Sequence, residues 1–261
     1  MEVREINPTG AIPIRDIKQL KTKKARDILG LFMVEGAKFV DEIPPHWHVL
    51  QYVVAERYEK SHDISHYQHR ATTVTVRDTI FDGLADAATP QGVIALCQKQ
   101  EFTLEQILQK SPRLILLGEN LNDPGNIGAL IRTAAAAGAG GVILTLGSGD
   151  IYNPKVLRAA AGAVLRLPFV VNADLAQVAA ALTHSGIPIY AAHPRGTQTP
   201  YGLDFKGDAC ILVGHESHGI SDTAAALATG LVTLPMVNRT ESLNASVAGS
   251  ILLYEAVRQR L

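Results

Sequence analysis

The chain reads as an α/β protein in two parts: a C-terminal domain built on a parallel sheet and a smaller N-terminal α/β domain. Three observations lead there. At 261 residues, the chain suits two modest domains or one large α/β domain. From Arg113 onward, nearly continuous apolar runs of strand length are separated by helical segments, the pattern of a parallel sheet covered on both faces. Before residue 98 the elements are shorter, strands alternating with short helices as in a small α/β or α+β module. A hydrophobic content of 47% with only 5% aromatic residues fits an Ala/Leu/Val-rich globular protein of this class.

In chain order, a basic helix is expected over Ile14–Leu20. Strands follow at Leu31–Val34, Val49–Ala55, Thr72–Val76 and Gly92–Leu96, with helices at Gly36–Ile43, Glu56–Ser65 and Asp78–Leu84. The stretch Thr103-Leu-Glu-Gln-Ile-Leu is a short amphipathic helix suited to a linker. The cleaner second half predicts strands at Leu114–Leu117, Gly141–Thr145, Ile187–Ala191, Ala209–Val213 and Leu231–Leu234. Its helices are expected at Asn126–Ala137, Pro154–Gly162, Leu175–Ser185, Asp222–Thr229 and Ser242–Arg260. In the last of these, Leu243, Val247, Ile251, Tyr254, Val257 and Leu261 recur at helical spacing, which predicts a core-facing side. The expected division is a first domain over residues 1–98, a linker over 99–112 and a second domain over 113–261.

No run approaches the roughly 18 apolar residues of a membrane helix, and the N-terminus has no signal-peptide apolar region, so a soluble, cytoplasmic protein is expected. Cys97 and Cys210 both lie in apolar strand-like runs and read as buried thiols, without metal-ligand spacing. A net charge of −1 argues against a uniformly basic nucleic-acid binder but permits a local patch. One stretch has that character: Arg15, Lys18, Lys21, Lys23, Lys24 and Arg26 stand against Asp16 alone. It is either an RNA-facing surface or a solvated helix face.

Three segments share a further logic. They are Leu121-Asn-Asp-Pro-Gly-Asn-Ile-Gly-Ala-Leu-Ile-Arg132-Thr-Ala, Ile211-Leu-Val-Gly-His-Glu-Ser-His-Gly219 and Leu234-Pro-Met-Val-Asn-Arg-Thr-Glu-Ser-Leu-Asn-Ala-Ser-Val-Ala-Gly249. Each follows or joins an apolar strand-like run, is rich in Gly and small polar residues, and leads toward a helix. Loops of this kind lie at the carboxyl ends of strands, where α/β sheets bind ligands.

Together, and in this order, the segments resemble the three motifs of the SpoU/TrmH family of RNA ribose 2′-O-methyltransferases, in the SPOUT class. Leu234 stands where the family has Ile. Ile17 to Glu42, with Thr89-Pro-Gln-Gly-Val-Ile-Ala-Leu96, looks like the family's substrate-binding domain, which is similar to ribosomal protein L30e. The resemblance implies a trefoil knot in the C-terminal domain, a homodimer formed through that domain, S-adenosylmethionine as cofactor, and structured RNA as substrate. Ribosomal RNA is favoured over tRNA because this N-terminal domain accompanies rRNA-directed members more than tRNA-directed ones. Carried onto this sequence, it places Gly214, Leu234, Met236 and Leu243 at the cofactor, and Arg132, Asn126, Glu216, Ser242 and Asn244 in the catalytic site. Guanidinium is effectively never deprotonated, so Arg132 suits phosphate gripping and charge stabilisation rather than a base. Asn126 also suits a helix N-cap, Ser242 a cap, and Glu216 an orienting group or a proton acceptor.

Asn153-Pro-Lys-Val-Leu-Arg-Ala-Ala-Ala-Gly162 resembles a further family segment, where Lys155 and Arg158 either contact phosphate or face solvent. His215 and His218 flank Glu216 without a third ligand at metal spacing, so no metal is expected. Two readings from other classes compete. A catalytically silent RNA-binding module predicts decay of the motif residues, yet all are present. A nicotinamide oxidoreductase needs G-x-G-x-x-G, and Gly147-Ser-Gly149 lacks the third glycine.

Overall fold

The computed structural model describes residues 11–109, 113–238 and 240–261. It forms two compact units. The first runs to Gln100 and includes Tyr152–Leu157; the second comprises Glu101–Ile151 and Arg158–Leu261. The expected linker over residues 99–112 is therefore not a separate connector. Its helix, Leu104–Leu108, belongs to the second unit, and Ile107 is fully buried in that unit's core. Thr103 and Gln106 close a reciprocal capping box at its start.

The first unit carries a four-stranded sheet of β1 (Leu31–Glu35), β2 (Val49–Ala55), β3 (Thr72–Val76) and β4 (Val93–Gln98), in the order β1-β4-β2-β3. β4 runs antiparallel to both neighbours, and β2 and β3 are parallel. Phe32, Tyr52, Val53, Phe81 and Leu96 fill its core. A helix over Lys23–Leu29 was not foreseen; Thr22 caps it and Gly30 ends it in the left-handed region at φ 64°. The single helix expected over Glu56–Ser65 is two, Glu56–Glu59 and Ser65–Arg70. Asp63 accepts from the Ser65 backbone N–H and hydroxyl, a local turn that competes with helix propagation.

The second unit holds six strands, all parallel: β5 (Leu114–Gly118), β6 (Gly141–Thr145), β7 (Phe169–Ala173), β8 (Ile189–Ala192), β9 (Ala209–Val213) and β10 (Gly230–Val232). Their order is β10-β8-β9-β5-β6-β7. The chain thus builds outward from β5 through β6 to β7, then returns to add β8, β9 and β10 on the other side. β5 and β9 are the neighbours at which that direction reverses, and the crevice at their carboxyl ends is where such sheets bind ligands. β7 was not foreseen, and β10 stops at Val232, so Leu234 and Pro235 lie beyond the strand in which they were expected. Cys97 and Cys210 are both free and buried, as expected, and burial pushes the Cys97 thiol up to about 12.

The last helix spans Ala245–Arg260, not from Ser242, and packs on the helix Pro124–Ala136. Contact is close because Gly249 has no side chain: a Cβ there would lie 2.6 Å from Leu130 Cδ2 and 2.9 Å from Val213 Cγ2. Ser250 Oγ donates to Thr133 Oγ1 at 3.0 Å beside it. The buried face is Gly249, Leu252, Leu253, Glu255 and Ala256. The stripe expected to face the core is instead largely exposed: Val247, Ile251 and Tyr254 are 45%, 37% and 51% accessible, and Leu243 and Leu261 are exposed as well.

Candidate active site

The three motif segments meet at the β5/β9 crevice. After β5 the chain turns at Asn122 and enters the helix Pro124–Ala136. Asp123, not Asn126, is its N-cap: Asp123 Oδ1 accepts from Asn126 N at 2.8 Å, and Pro124 occupies the first helical position. Asn126 is nearly buried, at 8% accessible. Its Nδ2 donates to Glu216 Oε1 at 3.3 Å, and its Oδ1 accepts from Asn244 Nδ2 at 3.0 Å. Asn244 Oδ1 accepts from Ser246 N, Ser246 Oγ and Val247 N, which caps the last helix. A relay Asn244–Asn126–Glu216 therefore ties all three motifs together. A carboxylate can only accept and a backbone N–H can only donate, so both amide orientations are determined.

Glu216 also accepts from Asp123 N at 2.9 Å and from Asn122 N at 3.4 Å. Partial burial alone would raise its carboxyl. The backbone N–H groups of Glu216, Asp123 and Asn122 and the Asn126 amide outweigh that and hold it below the usual carboxylate range. Glu216 is thereby a weak base, which fits the orienting role and not proton uptake. Asn126 has both amide ends engaged inside the fold and acts as a positioning residue. The backbone N–H groups of Ser246 and Val247, at the start of the last helix, are already satisfied by Asn244.

In front of the relay lies a cavity of about 310 Å³, at the small end of ligand pockets. Among the residues expected in the site, Gly214, Glu216, Leu234, Met236, Ser242 and Leu243 line it. Asn126 and Asn244 stand behind it. Arg132 is not in its lining; it is exposed, and its side chain makes no hydrogen bond or ion pair among the described residues. The Gly214–Gly219 loop is tightly closed: Gly219 N donates to His215 O at 2.8 Å, and a Cβ on Gly214 would lie 2.3 Å from the Gly219 carbonyl. A further wall, Ala192–Arg195 at the carboxyl end of β8, went unnoticed in the sequence. It carries no motif, and only its place after a strand pointed to it.

Three imidazoles face this space: His193, His215 and His218. His193 Nδ1 accepts from Arg195 N at 3.1 Å, and His215 Nδ1 accepts from Ser217 N at 3.0 Å. Each neutral ring then carries its proton on Nε2, with its basic nitrogen turned to the backbone, so neither is poised to take a proton from a ligand. His215 and His218 stack at 4.8 Å. Among the described residues there is no cluster of three or more His, Cys, Asp or Glu able to hold a metal.

The basic stretch of the first unit divides. Arg26 is buried, its guanidinium donating to the carbonyls of Leu20 and Lys21. Lys21 donates to Ala85 O at 2.7 Å, and Lys23 pairs with Asp27. Arg15, Lys18 and Lys24 are exposed, with Arg15 beside Asp16. Lys155 and Arg158 are exposed too, Lys155 in the first unit and Arg158 in the second.

A cavity walled by main chain and by both apolar and polar side chains, backed by a fixed polar relay at a sheet's switch point, is the equipment of a ligand-binding α/β enzyme. The chain belongs to the SpoU rRNA Methylase family, which residues 113–254 match, and residues 12–95 match the MRM3-like substrate binding domain. Over 99% of its length it is 30% identical to an uncharacterized tRNA/rRNA methyltransferase of Synechocystis, covering 95% of that protein. It is 29% identical over 92% of its length to the 23S rRNA (guanosine(2553)-2′-O)-methyltransferase RlmP of Bacillus subtilis, covering 94% of it. Among solved structures it is similar to the SpoU methyltransferase AviRb of Streptomyces viridochromogenes in complex with AdoMet. That match has a TM-score of 0.86 at 26% identity and covers 96% of this chain and 98% of the other.

Proposed function

We propose that the chain transfers a methyl group from S-adenosylmethionine to a ribose 2′-hydroxyl of ribosomal RNA. The observation that carries this is the relay Asn244–Asn126–Glu216, which locks the three motif loops around one cavity. The cavity suits the cofactor. Gly214 brings main chain to its wall, and Val213, Leu234, Met236 and Leu243 offer apolar contact for an adenosine. S-adenosylmethionine supplies a methyl group on a cationic sulfur. In the reaction the carbon–sulfur bond breaks, the carbon–oxygen bond forms and the hydroxyl proton leaves. The protein's work is alignment. Glu216 fixes the turn at Asn122–Asp123, Asn126 carries that order to Asn244, and Ser242 stands at the cavity for the hydroxyl or the cofactor. With Glu216 weakly basic and the Nδ1 atoms of His193 and His215 engaged by backbone N–H groups, the proton passes to water or to His218. Arg132 lowers the cost of negative charge on the oxygen by gripping the adjoining phosphate.

Ribosomal RNA is favoured by the substrate-binding domain over residues 12–95 and by the near full-length likeness to RlmP. Arg15, Lys18 and Lys24 are the phosphate contacts we assign there. Two copies join through the stripe Val247, Ile251 and Tyr254, since an apolar helix face left in water needs a cover. The threaded knot that the family resemblance implies, and a cytoplasmic location, complete the proposal. No helix among the described residues is long and apolar enough to cross a membrane. Mapping 2′-O-methyl positions in ribosomal RNA with and without the gene tests the function: one position losing its methyl group is expected. Unaltered ribosomal RNA with a methyl lost from tRNA would replace the substrate.

A further inference from the structure

Of the charged residues lining the cavity, three matter. Arg195 is the one cation of the Lys/Arg type among the described lining residues, and Glu216 and Glu241 are the carboxylates. Glu216 is consumed by its backbone and Asn126 bonds. Arg195 and Glu241 have no ion pair or side-chain hydrogen bond among the described residues, with each other or with anything else. They come from separate segments, Arg195 from the turn after β8 and Glu241 from the segment leading into the last helix.

The Arg195 backbone is tied down. Its N–H donates to His193 Nδ1 at 3.1 Å, and Gly196 N donates to His193 O at 3.0 Å. Gly196 itself presses on the next strand, where a Cβ would lie 2.6 Å from Leu231 O. A fixed backbone beneath an unpaired guanidinium lowers the ordering cost of capturing a ligand.

A cavity of mixed polar and apolar lining, in which one guanidinium and one carboxylate are left unpaired among the described residues, complements a ligand with a nucleoside body and a zwitterionic tail. Resting on the methyltransferase reading, we propose that Arg195 and Glu241 recognise the amino-acid end of S-adenosylmethionine. Arg195 holds the α-carboxylate, for which its planar fork is matched, and Glu241 holds the α-ammonium. The pair makes the cavity selective for the complete cofactor over nucleosides that carry only its adenosine and sulfur.

Calorimetry on the full chain with three probes tests this: S-adenosylmethionine, its decarboxylated form, and 5′-methylthioadenosine, which lacks the amino-acid chain altogether. Wild type should prefer S-adenosylmethionine over the decarboxylated form by about tenfold, the worth of a charge-assisted contact. Arg195→Ala should erase that preference and leave 5′-methylthioadenosine affinity unchanged, which also shows that the variant is folded. Glu241→Gln should instead shrink the preference for the decarboxylated form over 5′-methylthioadenosine to what the cationic sulfur alone contributes over a neutral thioether. Parallel loss of all three ligands, or preferences untouched by either substitution, overturns the assignment. Preferences intact but RNA retention weakened in Arg195→Ala would give Arg195 to an RNA phosphate and overturn it equally. A wild-type chain that binds 5′-methylthioadenosine and S-adenosylmethionine alike refutes the zwitterion site alone, whereas one that binds none of the three refutes the methyltransferase reading.

Discussion

Arg132 and Gly214 sit at opposite ends of what a single residue contributes here. Arg132 is exposed and outside the cavity lining, so the role proposed for it is one of charge and not of the pocket's shape. Arg132→Ala should slow single-turnover methyl transfer by about 10²–10³-fold while cofactor affinity stays within error, and Arg132→Lys should remain badly impaired for want of the planar fork. Turnover within a few fold of wild type would make Arg132 an ordinary surface residue. Gly214 acts through shape alone. An added Cβ would meet backbone atoms of Gly219 and Ile220 within 2.4 Å, and backbone cannot swing aside. Gly214→Ala should therefore open the loop and abolish cofactor binding by calorimetry, with thermal stability reporting whether the rest of the fold survives. The site was legible in the sequence where the chain resembles the family's motifs, as with Gly214, Glu216 and Asn244. It was illegible where the contribution is positional. Nothing in Ala192-His-Pro-Arg195 marks it as a wall, and nothing in Asn126 reveals that Asp123 takes the cap.

Among elements, the last helix taught most. Its sequence carries two apolar faces, and periodicity alone does not say which one the fold covers. The smaller residues won: Gly249 and Ala256 allow the close approach to the helix Pro124–Ala136 that bulkier Ile251 and Tyr254 would prevent. Gly249→Ala sets two effects against each other. Alanine favours a helix by about 1 kcal/mol, whereas forcing a methyl into a filled core typically costs about 1–3 kcal/mol. Leu130 and Val213 are both buried and have little room to yield, so net destabilisation is expected in urea unfolding. In the same helix, the two-pronged Arg258 bond and the Gln259 amide hold the buried Glu255 carboxyl at about 2. Its folded pKa lies below its unfolded value of about 4.3, so this stabilisation is complete above that value and fades as pH falls toward 2. Glu255→Gln should flatten the acid side of the stability profile across that window and change little at neutral pH beyond a constant offset. The buried strands β5, β6 and β9 were plain in the sequence because both faces are apolar. β7 was not, because it lies at the sheet edge with Val171 and Asn172 exposed and Asn172 at φ 54°.

For the whole molecule, two of the proposed surfaces can be tested by substitution. Ile251→Glu, within the exposed stripe, should shift a dimer to monomer in sedimentation without loss of helix signal; an unchanged mass would place the dimer contact elsewhere or exclude it. Neutralising Lys18 and Lys24 together should reduce the salt dependence of RNA binding by roughly one to two units of log–log slope. Arg26→Ala should instead lower stability, since its buried guanidinium donates to the carbonyls of Leu20 and Lys21. The placement of the cavity walls has one more consequence, for the order in which the protein becomes competent. They come from residues 192–195, 213–219 and 232–248. During synthesis, a chain that has emerged as far as Val213 holds every strand of the β5–β9 core, yet it has no place for a cofactor. The cavity's last wall is added only once the segment through Ala248 has left the ribosome and settled. A chain halted short of that point also lacks the last helix, which packs on the helix Pro124–Ala136 and on β9, so the scaffold and the cavity are completed together.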